Sequence, residues 1–144
     1  MFNFQIVANV IGALLLMLGA FMLVLAPFGW LLESDGISAL FEGAGVTLLP
    51  GAALFWSTRK ADKNIRKKEG FAIVTLGWIF VCLFSSMPYH LSGIFNHPVD
   101  AFFETVSGLT TTGATVLKEI ESVPPLILIW RSLTQWIGGM GIIV

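Results

Sequence analysis

The chain has 144 residues, of which 56% are hydrophobic and only 12% charged, with a mean hydropathy of +0.84 and a formal net charge of −1. A soluble domain carries about 25% charged residues, so there is too little charge here to cover a water-facing surface, and a soluble globular domain is excluded. A single cysteine, Cys82, excludes an intrachain disulfide. The length suits about four membrane spans of about 20 apolar residues each.

Residues 1–32 carry no charged side chain. A signal peptide would need a basic start and a shorter apolar run, so an uncleaved span is expected over 4–27. At 1.5 Å per residue it is on the order of 35 Å long, enough to cross with some tilt. Trp30 follows at the expected interface, and Glu33-Ser-Asp-Gly36 reverses the chain. A second span is expected over 37–56, with Glu42 near its outer end. Gly43, Gly45 and Gly51 suit close helix contact there, and Pro50 suits a kink.

The segment 59–69 contains Arg59, Lys60, Lys63, Arg66, Lys67 and Lys68, six of the eight basic residues. The positive-inside rule places it in the cytoplasm, and a patch facing lipid headgroups would lie on the same side. The N-terminus is then cytoplasmic, the Glu33–Asp35 turn is outside, and a third span over 70–87 runs outward. A fourth apolar run, 124–144, is long enough to return. It ends without a flanking anchor, so a truncated chain is expected.

Between these last two runs lies the part of the chain least like a span. Pro98 and Asp100 suit the start of a helix, and Gly108 suits its end. A helix over 98–108 is about 15 Å long, half a bilayer, and so a candidate to enter from outside and stop midway. It leads into Thr110-Thr-Thr-Gly-Ala-Thr115, expected as an extended strand because threonine is β-branched. Irregular backbone at membrane depth is tolerated only where it is buried in protein or lines a water-filled path. Gly113 gives conformational freedom, so successive carbonyls can point one way and replace the hydration shell of an alkali cation. Read alone, Thr-Thr-Thr-Gly is also common loop sequence.

The segments DAFFETVSGLTTTGATVL (100–117) and LIWRSLTQWIGGMGIIV (128–144) closely resemble the first pore repeat of the Trk-type potassium uptake proteins, the TrkH members of the Trk/Ktr/HKT superfamily. RKKEGFAIVTLGWIF (66–80) fits the opening of that repeat, and the two spans before it resemble the extra N-terminal pair of TrkH proteins. The resemblance implies an all-α integral membrane fold: two N-terminal transmembrane helices (1–58), the basic loop (59–69), then one helix–pore loop–helix repeat (70–144) of a potassium-channel-like fold. It implies K⁺ as the transported ion, bound through the backbone carbonyls of Thr111, Thr112 and Gly113, with Na⁺ left open. Implied partners are membrane lipid, the remaining pore repeats of a longer subunit, a TrkA-like cytosolic nucleotide-binding regulator and a second copy in a homodimer, with no nucleic acid. The implied location is the bacterial cell inner membrane. Only one of the family's four repeats is found here. A part of a translocating subunit, a non-conducting membrane fragment and a homotetrameric minimal channel therefore all stand as readings.

Asp100, Glu104, Glu119 and Glu121 fall on the outer side, where they either raise local cation concentration or form ordinary solvated surface. His97, Asp100 and Glu104 have the spacing of a conceivable metal site. Arg131, an intramembrane charge, either snorkels outward or pairs with Glu104. Gly138-Gly-Met-Gly141 suits a hinge or, more simply, close helix packing. No nucleophile–base arrangement, P-loop or zinc-ligand spacing is present, so no enzyme is expected.

Overall fold

The computed structural model describes residues 2–60 and 65–143. Its elements in order are α1 (Phe4–Leu25), α2 (Phe28–Leu31), α3 (Ile37–Thr58), α4 (Lys67–Ser85), α5 (Met87–Leu91), α6 (Pro98–Leu109), a 3₁₀ turn (Ile120–Ser122) and α7 (Pro125–Ile143). Among the described residues there is no strand. Among the described residues three stretches are long and apolar enough to cross a membrane: Phe4–Leu31, Ile37–Thr58 and Lys67–Leu91. Helix α7 has 19 residues. Arg131, Ser132, Thr134 and Gln135 interrupt its apolar run.

Each boundary has a local cause. Asn3 caps α1 by accepting from the backbone N–H groups of Gln5 and Ile6. Between α4 and α5, Pro88 has no N–H to give back to Phe84, so the helix breaks at Ser86 and resumes at Met87. Pro98 opens α6 at a position where no donor is needed. Helix α3 continues through Pro50 to Thr58.

Helices α1 and α3 form a tight hairpin because small residues let their backbones meet. A Cβ at Gly12 would lie 2.7 Å from the Phe55 nitrogen and 2.9 Å from the Gly51 oxygen. Asn9 adds hydrogen bonds from its side-chain amide to the Phe55 carbonyl and the Thr58 hydroxyl, both 3.1 Å. Gly51 packs on Leu15 and Leu16, whereas Gly45 faces open space and takes no part in this contact.

The end of the hairpin at the 33–36 turn is tied to α5 and α7. Leu40, Tyr89, Leu126 and Trp130 lie buried in one cluster, and the Trp130 indole donates to the Ser85 carbonyl at 3.0 Å. Buried Ser34, in the turn before α3, accepts through its hydroxyl from the Leu126 N–H at 3.3 Å, supplying one of the first-turn donors of α7 with a partner 92 residues away.

Gly12→Ala drives a methyl into backbone that cannot swing aside, and is expected to cost about 1–3 kcal/mol. Gly45→Ala meets nothing within 4 Å and is expected to be neutral or slightly stabilising. Thermal unfolding in detergent, followed by size-exclusion of the tagged protein, compares the two.

Candidate functional site

Helix α6 and the chain that follows it build the site. After Leu109 the chain turns and runs back along α6. The Ser107 hydroxyl donates to the Ala114 carbonyl at 2.6 Å. Three residues earlier on the helix, Glu104 receives the Thr115 hydroxyl at 3.0 Å and the Val116 N–H at 3.1 Å, both on Oε2. These pairings set 107 beside 114 and 104 beside 115 and 116, so the return path is antiparallel to the helix.

The tip of this loop differs from the extended strand expected over 110–115. Thr111 has φ 56° and Gly113 φ 78°, while Thr112 between them does not have positive φ. The reason lies in the helix end. The N–H groups of Thr110, Thr111 and Thr112 donate to the carbonyls of Val106, Gly108 and Ser107 at 2.8–3.0 Å, and Gly113 N–H reaches Ser107 at 3.5 Å. These bonds satisfy the open carbonyls of the last turn. They also require left-handed backbone, which for a threonine is worth a cost of about 1–2 kcal/mol.

The same bonds orient the opposite side of the chain. A trans peptide carries its N–H and the preceding carbonyl on opposite edges. With the N–H groups of Thr111, Thr112 and Gly113 turned into α6, the carbonyls of Thr110, Thr111 and Thr112 turn away from it. Those three oxygens accept no hydrogen bond among the described residues, and residues 110–116 are exposed. The row of free oxygens thus begins at Thr110, one residue before the Thr111–Gly113 set that the resemblance implies. The Gly113 carbonyl has no such bond to orient it. The side chains are held too, since Thr110 Oγ1 donates to the Val106 carbonyl and lies 2.8 Å from Thr112 Oγ1.

Glu104 anchors this arrangement. Its side chain is fully buried, and Oε1 accepts from Arg131 Nε of α7 at 2.6 Å. The pairing weighed from the sequence is therefore the one present. Glu104 accordingly leaves the outer acidic group, while Glu119 and Glu121 remain exposed. It is equally lost to a metal site with His97 and Asp100, and among the described residues no group of His, Cys, Asp and Glu is placed to hold a metal.

Two glycines set the distance between α6 and α7. Gly108 does not stop α6, which runs on to Leu109. It is buried, and a Cβ there would lie 2.9 Å from the Thr134 hydroxyl. Gly138 lies against the Leu109 carbonyl so closely that a Cβ would overlap it, while Gly141 meets nothing within 4 Å. Gly138 is thus a packing position.

Fold and site together define an all-helical membrane protein with a short helix and an exposed Thr/Gly loop held against longer helices. The TrkH family, described as cation transport protein, matches residues 36–144. The chain belongs to that family, one of cation transport and not of enzymes. It is 41% identical to the Trk system potassium uptake protein TrkH of Halomonas elongata over 146 residues, and 36% identical to TrkH of Escherichia coli (strain K12) over 143; each match takes in 99% of this chain and 30% of the relative. The crystal structure of the potassium transporter TrkH from Vibrio parahaemolyticus matches 99% of this chain with a TM-score of 0.92 at 33% identity, and the chain covers 31% of that protein. The chain thus spans about a third of the length of the relatives it matches.

Arg131→Met leaves the fully buried Glu104 carboxylate uncompensated and is expected to cost on the order of 3–5 kcal/mol; Glu104→Gln leaves Arg131, whose side chain is 22% exposed and can reach water, and is expected to cost less. Thr115→Val removes one hydrogen bond, worth about 1 kcal/mol. The double variant E104Q/R131M is expected to lose less than the sum of the singles. Thermal stability in detergent, read with the rate of proteolysis within 110–118, checks the order.

Proposed function

We propose that the chain supplies one wall of a potassium-conducting path. The single observation that carries this reading is the polarity of the loop. Its N–H groups are consumed by α6 and its carbonyls at Thr110, Thr111 and Thr112 face open space. An alkali cation is stripped of water at low cost only where carbonyl oxygens stand in for its hydration shell. The C-terminal end of α6, negative by its dipole, adds to the preference for a cation.

K⁺ is then bound through Thr111 and Thr112, with Thr110 joining the row. Gly113 supplies the left-handed turn and its own carbonyl at the row's end. The relatives are potassium uptake proteins, which supports K⁺ as the ion; Na⁺ is the competitor to test against. One loop coordinates from one side only, so the remaining walls come from further repeats of a longer subunit. That subunit acts within a Trk system in the bacterial inner membrane, gated by a TrkA-like nucleotide-binding regulator and paired with a second copy. The basic segment before α4 supports a cytoplasmic N-terminus.

Gly113→Ala in the full-length subunit forces a side chain into left-handed backbone at about 1–2 kcal/mol, or roughly tenfold in an equilibrium. In a bacterium deficient in potassium uptake, growth at limiting K⁺ is expected to need roughly tenfold more K⁺, with weaker exclusion of Na⁺. Unchanged uptake and selectivity at equal membrane level would overturn the reading. Expression of this chain alone is expected not to restore uptake; restoration would instead support a homotetramer.

A further inference from the structure

The ends of α1 and α4 opposite the Thr/Gly loop hold a second polar feature. The N-termini of the two helices meet there, joined by the Asn3 N–H donating to Glu69 Oε1 at 3.1 Å. Beside this bond is a recess of about 460 Å³ lined by Phe2, Arg66, Lys67, Lys68 and Glu69. We infer that it binds the headgroup of an aminophospholipid, with the phosphate toward Arg66, Lys67 and Lys68 and the primary ammonium toward Glu69.

Glu69 carries the inference. It is only 2% exposed, and its second oxygen, Oε2, is buried with no hydrogen-bond partner. A buried carboxylate oxygen without a donor is costly. The three neighbouring cations do not supply one: among the described residues the only salt bridge is that of Arg131 with Glu104. Arg66, Lys67 and Lys68 are instead exposed around the recess, on long jointed stems that can move aside. Two helix N-termini add positive potential. The recess therefore offers cations at its rim and, beneath their stems, Glu69 with a buried carboxylate oxygen that has no protein donor.

A simple anion meets only half of that pattern and is repelled by Glu69. A zwitterion with phosphate and –NH₃⁺ about one ethylene unit apart meets both halves. The source is a lipid and not a free phosphate ester, because the recess lies at the ends of two stretches apolar enough to cross a membrane. Next to it Phe4 and Phe71 are 76% and 77% exposed, an aromatic border of the kind found where acyl chains meet headgroups.

Native mass spectrometry of the purified full chain, titrated with phosphatidylethanolamine, phosphatidylcholine and phosphatidylglycerol of equal acyl chains, tests this. Choline has the same charges as ethanolamine but no N–H to donate. Phosphatidylethanolamine is therefore expected to bind about tenfold more tightly than phosphatidylcholine, the worth of one charged hydrogen bond. Glu69→Gln is expected to abolish that difference. The triple variant R66Q/K67Q/K68Q is expected to weaken both lipids. Equal binding of the two lipids, a preference that survives E69Q, or tightest binding of phosphatidylglycerol would each overturn the inference. So would displacement of the lipid by free phosphoethanolamine at equal concentration, which would remove any role for the membrane. Where E69Q does not fold, the comparison of the two lipids on the unaltered chain decides.

Discussion

One carboxylate holds three pieces of chain together. Glu104 sits in the middle of α6, takes Arg131 of α7 on one oxygen, and takes Thr115 and Val116 of the returning loop on the other. A buried charge is tolerated only when its partners surround it. In a membrane those partners come from protein, because no water competes or compensates. The loop's position and the height of α7 beside α6 are thus one condition, met together or not at all.

That condition depends on distance. Arginine can make a direct bond to α6 only if the two helices lie close, and the small residues provide this. Gly108 opposite Thr134, and Gly138 opposite the Leu109 carbonyl, leave no room for a Cβ. Gly108, which reads as a stop signal, and Gly138, which reads as a hinge or a packing position, both act as spacers of near-zero width. The loop then inherits its rigidity from the helix pair. Its left-handed residues, Thr111 and Gly113, are held by N–H bonds back to the helix end, so strain at the tip is offset one turn below.

Much of this was legible from residue order alone. Long uncharged runs announce helices for lipid, and Pro98, Asp100 and the Thr/Gly cluster announce a short helix followed by irregular chain. The Glu104–Arg131 pair was readable because an intramembrane charge has few acceptable partners. The handedness at Thr111 was not readable, because β-branching argues for extended backbone and only the three-dimensional helix end overrides it. Where the row of outward carbonyls starts is hidden for a related reason: which carbonyl turns outward depends on which N–H turns inward. The role of Ser34 could not be read at all, since nothing local distinguishes a serine in a turn from one that reaches a helix 92 residues on.

That serine bears on the order in which the protein can be made. The turn that carries it is synthesised and threaded before α7 exists. When Leu126 emerges, the hydroxyl that accepts its N–H has already been made. The turn before α3 thus fixes where α7 begins, and with it the place of Arg131 along α6. Residues drawn as separate segments by charge and composition are in this sense one folding unit, closed by a hydroxyl made early and an amide made late.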